Sequence, residues 1–289
     1  MNAGLRALLT GIVDYAGLFP PAQLPLDQAI RNYARYRQGP EAWMLGRFVA
    51  PVGRLGELSP FVRELFADGP PLALTMLASA AEDRQAAEAF VARSEGRVVV
   101  DSFEVKASPA ADSIRAWASG GAAVWFEAGL EGDWRKSVRD AVAALRGAPV
   151  AGYKLRCGGA TAAAVPTAEQ VAFVLSACRE AGVPLKFTAG LHHPFRRFDA
   201  AVGATTHGFV NVFAAGALAR AGRADPARLE AVLLDADPSH FAFSEAGLRR
   251  GDFSATTDEI TAARRSLVAS FGSCSFDEPR DDLRALGWL

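Results

Sequence analysis

A closed (β/α)8 barrel, an α/β fold of alternating strands and helices, is the architecture this chain predicts. Three observations point to it. Seven short apolar runs recur with starts 25 to 34 residues apart, the length of one βα unit. Their hydrophobicity is continuous rather than alternating, as expected of parallel strands covered on both faces. All but one are followed by an amphipathic or alanine-rich stretch with the composition of a crossover helix. A doubly wound open parallel sheet is the alternative, but no G-x-G-x-x-G follows the first strand.

The runs are Thr10–Asp14, Met44–Ala50, Leu72–Leu77, Arg97–Phe103, Ala122–Glu127, Ala151–Arg156 and Val183–Thr188. Seven units ask for an eighth. Gly208–Phe213 follows the seventh run too closely for a crossover helix and merges into Ala214–Arg220, so it reads as a helix capped near Thr206. Ser270–Phe276 follows a helix pattern over Thr257–Ala269 and precedes a terminal helix opening at Pro279, which makes it the eighth strand. Between these, Pro226–Ala236 reads as a helix and Phe241–Phe253 as a short hairpin turning at Glu245-Ala246-Gly247. The expectation is one barrel domain over residues 1–289, with an insertion at about 208–255 before the last strand.

With 289 residues, half of them hydrophobic and 22% charged, the chain can bury a large core. The formal net charge is -1 with both signs scattered, which argues against a nucleic-acid patch or a membrane anchor and for a small-molecule substrate. A homo-oligomer is left open. Cys157, Cys178 and Cys274 are odd in number and lack C-x-x-C spacing, so neither a disulfide framework nor a structural zinc site is indicated. The N-terminus has no signal-peptide pattern and no apolar run reaches the ~18 residues of a membrane span; a soluble, cytoplasmic protein is expected.

Chemistry in such a barrel collects at the C-terminal ends of the strands. In order, the predicted ends carry Asp14, Arg47, Thr75, Glu104, Glu127, Lys154 with Arg156, Lys186 with Thr188, then His192 and His193, and finally Asp277 and Glu278. Only four of the 31 basic residues are lysines, and two of them, Lys154 and Lys186, lie inside apolar runs. A lysine is almost never fully buried without a partner, so a site is the natural reason for both. Two-residue alternation places Lys154 with Arg156 on one face of their strand and Lys186 with Thr188 on one face of theirs. Two ammonium groups about 6 Å apart at an effective dielectric of about 20 repel by about 3 kcal/mol, or roughly two pKa units. One lysine is then expected to be pushed toward the neutral amine that attacks a carbonyl. Glu104 or Glu127 would move protons or hold the second lysine charged.

The segments Lys154-Leu155-Arg156-Cys157-Gly158-Gly159 and Lys186-Phe187-Thr188-Ala189-Gly190 resemble the paired-lysine arrangement of class I Schiff-base aldolases, most closely those of the deoxyribose-phosphate aldolase type. The resemblance implies a carbon–carbon lyase with Lys154 in the Schiff-base position, Lys186 as its electrostatic neighbour and an acidic residue as proton shuttle. It departs at the phosphate site, since Gly272-Ser273-Cys274-Ser275 lies within the predicted strand and leads into acidic Asp277 and Glu278.

The leading reading is therefore a carbon–carbon or carbon–oxygen lyase acting on a small anionic carbonyl compound, without a cofactor. Lys154, Lys186, Glu127 and Glu104 are the catalytic candidates; Asp14, Arg156, Thr188, His192, His193 and Arg196 are those for substrate binding, the arginines because a guanidinium fixes an anionic group by paired hydrogen bonds. One alternative is a lyase or isomerase holding a divalent metal through His192, His193, Glu127 and Asp14, although no H-x-H or H-E-x-x-H spacing supports it. Another is a noncatalytic binding or assembly barrel in which the lysines only form buried ion pairs. Arg196 and Arg197 also read as solvated loop residues, Cys274 as a small buried hydrophobe, and Asp277 and Glu278 as favourable charges at a helix N-terminus.

Overall fold

A computed structural model describes residues 1–117, 120–223 and 225–289. The chain opens with α1 (Ala3–Leu9), then runs β1 (Val13–Tyr15), α2 (Leu26–Tyr36), β2 (Leu45–Pro51), α3 (Leu55–Leu65), β3 (Leu72–Ala78), α4 (Asp83–Arg93), β4 (Val98–Val105), α5 (Ala111–Trp117), β5 (Ala123–Glu127), α6 (Trp134–Leu145), β6 (Ala151–Arg156), α7 (Ala168–Ala181) and β7 (Leu185–Thr188). There follow β8 (Arg197–Asp199), β9 (Ala204–Thr206), α8 (Phe209–Arg220), α9 (Pro226–Leu234), β10 (Phe241–Ser244), β11 (Gly247–Arg250), β12 (Phe253–Thr256), α10 (Thr257–Ser266), β13 (Val268–Ser273) and α11 (Asp277–Ala285).

Strands β1 to β7 and β13 pair in parallel and close into an eight-stranded barrel, β13 joining β7 to β1. The predicted (β/α)8 architecture is thus the observed one, and the eighth strand is the later of the two candidates. Strands buried on both sides explain the continuous apolar runs: Tyr153 and Leu155 of β6 face the helices while Lys154 between them faces the interior, and all three are buried.

Local chemistry accounts for several helix ends. Thr167 with Gln170 and Thr256 with Glu259 form capping boxes at α7 and α10, Gly182 ends α7 in the left-handed conformation at φ 69°, and Asp225 caps α9 just before Pro226. Two boundaries differ from expectation. Helix α8 is capped at Gly208, not near Thr206, because its first amides donate to His193 O and Pro194 O. Helix α11 begins at Asp277, two residues before Pro279, which sits in its first turn; there the Glu278 amide donates to Ser275 Oγ, so a serine hydroxyl rather than Asp277 or Glu278 satisfies it.

The stretch beyond β7 holds what periodicity did not disclose. A two-stranded ribbon, β8 with β9, precedes α8. The expected hairpin is present as β10 and β11 and continues into a third strand, β12. Helix α1 was likewise unmarked; Asn2 caps it, and Gly4 lets it approach β11, since a Cβ there would lie 2.6 Å from Gly247 O. Within 208–255, every residue of α8 from Phe209 to Ala219 is buried, as fits a helix apolar on all sides. Its Phe209 stacks on Phe271 of β13 and its Phe213 packs edge-on to Phe187 of β7, with ring centroids 5.3 and 5.4 Å apart. Among the described residues no helix is long and apolar enough to cross a membrane.

Asn211 ties α8 to both of its neighbours. Its side-chain oxygen accepts from the Arg196 amide at 2.9 Å, and its nitrogen donates to Val232 O and Asp235 O at 2.9 and 2.8 Å. Replacing Asn211 by Ala takes the side-chain partner from the Arg196 amide and Asp235 O, and one of two donors from Val232 O, which keeps the Asp235 amide; each group left unpaired costs about 1–3 kcal/mol. Urea denaturation of Asn211→Ala is expected to show a loss of at least about 2 kcal/mol with the slope unchanged.

Candidate active site

Asp14, Glu104, Glu127, Lys154 and Lys186 come from five barrel strands and form one connected cluster. Lys186 Nζ contacts Asp14 Oδ2, lies 3.1 Å from Glu104 Oε1 and is 3.4 Å from Thr75 Oγ1. Lys154 Nζ sits 2.7 Å from Glu104 Oε2 and 2.8 Å from Glu127 Oε2. Glu104 thereby bridges the two amines through its separate oxygens. Beyond Glu127, the Arg156 Nε is 3.9 Å from Oε1.

Strand register produces this arrangement. Glu127, Lys154 and Lys186 are direct partners across β5, β6 and β7, so their side chains leave the same inner face side by side. A layer beneath supports them: Ser102 accepts from the Trp125 indole at 3.1 Å, and Gly152 has no Cβ because one would come within 2.5 Å of that ring. By two-residue alternation these three share faces with Glu104, Glu127 and Lys154. Asp14 also accepts from the Arg47 amide at 2.7 Å through Oδ1 and from the Ser270 hydroxyl at 2.8 Å through Oδ2.

Depth grades along the chain of charges. Asp14 and Lys186 are completely buried, Glu104 and Lys154 nearly so, the Glu127 side chain is 15% exposed and that of Arg156 52%. The chain of ion pairs thus runs from the barrel interior to an accessible guanidinium.

These contacts overturn the expectation that mutual repulsion neutralises one lysine. Three carboxylates are interleaved with the two amines, and attraction outweighs repulsion. Burial works against the Lys154 ammonium, but Glu104 and Glu127 prevail and hold its pKa above the ordinary lysine range. Burial would likewise raise the carboxyls of Asp14 and Glu104; Lys186 and Arg47 hold Asp14 below the usual range, and Lys186 and Lys154 do the same for Glu104.

The remaining candidates are dispersed. Thr188 faces Arg156 across β6 and β7. His192 Nδ1 is 3.1 Å from Glu278 Oε2, and His193 Nδ1 is 2.6 Å from Asp282 Oδ2, so both histidines are engaged with α11. The proposed metal set of His192, His193, Glu127 and Asp14 is not assembled: its two acids are bound to ammonium groups, and among the described residues no three His, Cys, Asp or Glu side chains are grouped to hold a metal. Arg196 is only partly buried, its amide bonded to Asn211, while Arg197 is exposed as expected. Arg47 lies early in β2 rather than at its end and pairs with Asp101 through two hydrogen bonds. Cys274 is a buried free thiol.

Sequence reasoning missed Ser270 and His207. Ser270 stands two residues before Gly272 on the inner face of β13, a signal available only once that strand's bounds are known. His207 is buried, and burial, as the leading cause, depresses its pKa; its Nε2 bonds Pro166 O at 2.7 Å, fastening the segment after β6 to the start of α8.

No family model matches the chain, and no curated protein does. Among solved structures it is similar to Leishmania donovani UMP synthase, with a TM-score of 0.45, 13% identity, and 80% of this chain and 54% of that one covered. It is also similar to a monomeric dihydrodipicolinate synthase variant, with a TM-score of 0.36, 12% identity and 63% of each chain covered. The chain thus spans between half and two thirds of the length of each.

Removing Lys186 alone takes from the buried Asp14 its ammonium partner, the leading attraction that offsets its desolvation. Lys186→Met is expected to cost about 3–5 kcal/mol, and Lys186→Met combined with Asp14→Asn to cost less than the single change, as measured by chemical denaturation. Asp14 and Glu104 have depressed folded-state values, so their stabilising contribution is complete above the ordinary carboxylate range and disappears as acid titrates them through those values. Lys154 has a raised value, so its contribution is complete below the ordinary lysine range and is lost as pH rises through the folded value. Unfolding free energy is expected to hold a plateau between about pH 5 and pH 10 and to fall on both sides, with a smaller acid loss in the double variant.

Proposed function

We propose that this barrel is an enzyme, a carbon–carbon or carbon–oxygen lyase that takes a small anionic carbonyl compound as an imine on Lys154. The observation that carries this reading is the continuous chain of ion pairs that joins the enclosed Lys186, through Glu104 and Lys154, to the partly exposed Glu127 and Arg156. Several charges inside a barrel cost several kcal/mol each in desolvation, which apolar side chains would avoid. Strongly perturbed groups of this kind collect where chemistry is done.

In this reading Lys154 rests as an ammonium group. As a carbonyl enters, Glu127 at 2.8 Å takes its proton, the neutral amine adds to the carbonyl carbon and passes a second proton to the oxygen to give the carbinolamine, and the proton returned by Glu127 completes the water that leaves as the C–O bond breaks. The iminium then accepts the electron pair of the bond that breaks. Glu104 touches both amines and ties Lys154 to Lys186, which Asp14 and Glu104 grip beside the reacting centre. A dehydratase would use the same imine. The resemblance of the two lysine segments to class I aldolases supports the assignment of Lys154 over Lys186, as does the contact of Lys154 with the partly exposed Glu127.

The complete burial of Lys186 and the pairing of every charge favour a second reading, a noncatalytic barrel stiffened by its ion pairs. One experiment separates the two. Incubation with a panel of aldehydes and keto acids plus borohydride, followed by peptide mapping, is expected to place a reduced adduct on Lys154, absent in Lys154→Arg. Because Lys154 has a raised pKa, adduct formation is expected to climb with pH through the alkaline range. Unmodified protein across the panel and the pH range would overturn the imine reading.

A further inference from the structure

We infer that Arg156, with Thr188 beside it, is the specificity-determining group of this site and that the anion it selects is a carboxylate, making the substrate a short keto or aldehyde acid. The inference builds on the imine reading but rests on separate observations. Arg156 lies two residues beyond Lys154 on the same face of β6, about 6.6 Å further toward the mouth. A carbonyl carbon bound at Lys154 would therefore have a guanidinium a few bonds away.

Of the cluster's charges, that guanidinium is the most open: its side chain is half exposed, and its link to Glu127 is long at 3.9 Å. Glu127 is held more closely by Lys154, so an incoming carboxylate can take the paired N–H groups of Arg156 without stripping the amine of its acid. Thr188 is the direct partner of Arg156, with Gly272 across from Thr188 on β13. A Cβ on Gly272 would lie 3.3 Å from Thr188 Oγ1, so glycine keeps the space beside this hydroxyl clear.

Charge balance selects between anions. Asp14, Glu104 and Glu127 offset Lys154, Lys186 and Arg156, so the cluster is neutral before substrate binds. A monocarboxylate adds one negative charge facing one guanidinium. A phosphate dianion adds two beside Glu127, with no second cation in the cluster free to meet them.

The test uses pyruvate as keto acid, glycolaldehyde as neutral carbonyl and glycolaldehyde phosphate as phosphorylated carbonyl in borohydride trapping, with lactate, which has no carbonyl, in calorimetric titration. Pyruvate is expected to label Lys154 at least about tenfold faster than the other two, Arg156→Met to lose about 10- to 100-fold in pyruvate labelling and in lactate affinity, and Arg156→Lys to recover part of both. On the wild-type protein, lactate but not ethylene glycol is expected to protect Lys154 from glycolaldehyde, which keeps the test alive if a variant fails to fold. Equal or faster labelling by glycolaldehyde or its phosphate would overturn the carboxylate assignment and leave the imine standing. Arg156-dependent lactate binding with no trapping by any carbonyl would remove the imine and leave the carboxylate site. Absence of lactate binding to the wild type would overturn this inference outright.

Discussion

Glu104 sits between two ammonium groups and gives one carboxylate oxygen to each. Without it, Lys154 and Lys186 would be neighbouring like charges in a low-dielectric interior, and one would have to lose its proton or leave the barrel. With it, and with Asp14 and Glu127 at either end, the amines become links in an alternating chain in which each lies between two carboxylates. The polar interior of the barrel is tolerable only because this alternation is complete.

The surrounding fold maintains it. Parallel register on β5, β6 and β7 sets Glu127, Lys154 and Lys186 in one row, and Trp125 packed over Gly152 forms a floor below them. The buried α8 covers β7 and β13 from outside, and its Asn211 anchors the segment carrying Arg196. Above, His192 and His193 fasten the segment after β7 to α11, where Glu278 and Asp282, one helical turn apart, present their carboxylates on one side. The buried centre is rigidly framed while its rim, at Arg156 and Glu127, stays accessible. That gradient is what a site requires, since proton transfers want a dry interior and a substrate needs an opening.

Several features were legible without coordinates because they depend on short-range pattern. The continuous apolar runs located seven barrel strands to within a few residues, and β6 at its observed bounds, since a strand covered on both faces leaves an uninterrupted trace; the helix patterns on either side located the eighth. Lys154 and Lys186 stood out for the same reason: a charge inside such a run has nowhere polar to go except the interior. The β8 and β9 ribbon and the seven-residue α1 left no trace because their strands are too short and exposed, or the helix too brief, to generate a period. The partners of the lysines were also out of reach. Glu104 lies 50 residues from Lys154, and Asp14 lies 172 from Lys186. Repulsion between the amines follows from their adjacency alone, whereas the attraction that reverses it depends on which acids point inward.

The sequence by itself determined the alternation of strand and helix, the closure expected of eight such units, and the residue types delivered to the inner face. Those follow from hydrophobic period and turn chemistry, which act over a few residues. Tertiary structure decided the protonation preference of Lys154, the separation of His192 and His193 from the acids once grouped with them, and the graded exposure that leaves Arg156 at the mouth. These depend on register between strands far apart in the chain, where a shift of one residue would turn each side chain to the opposite face.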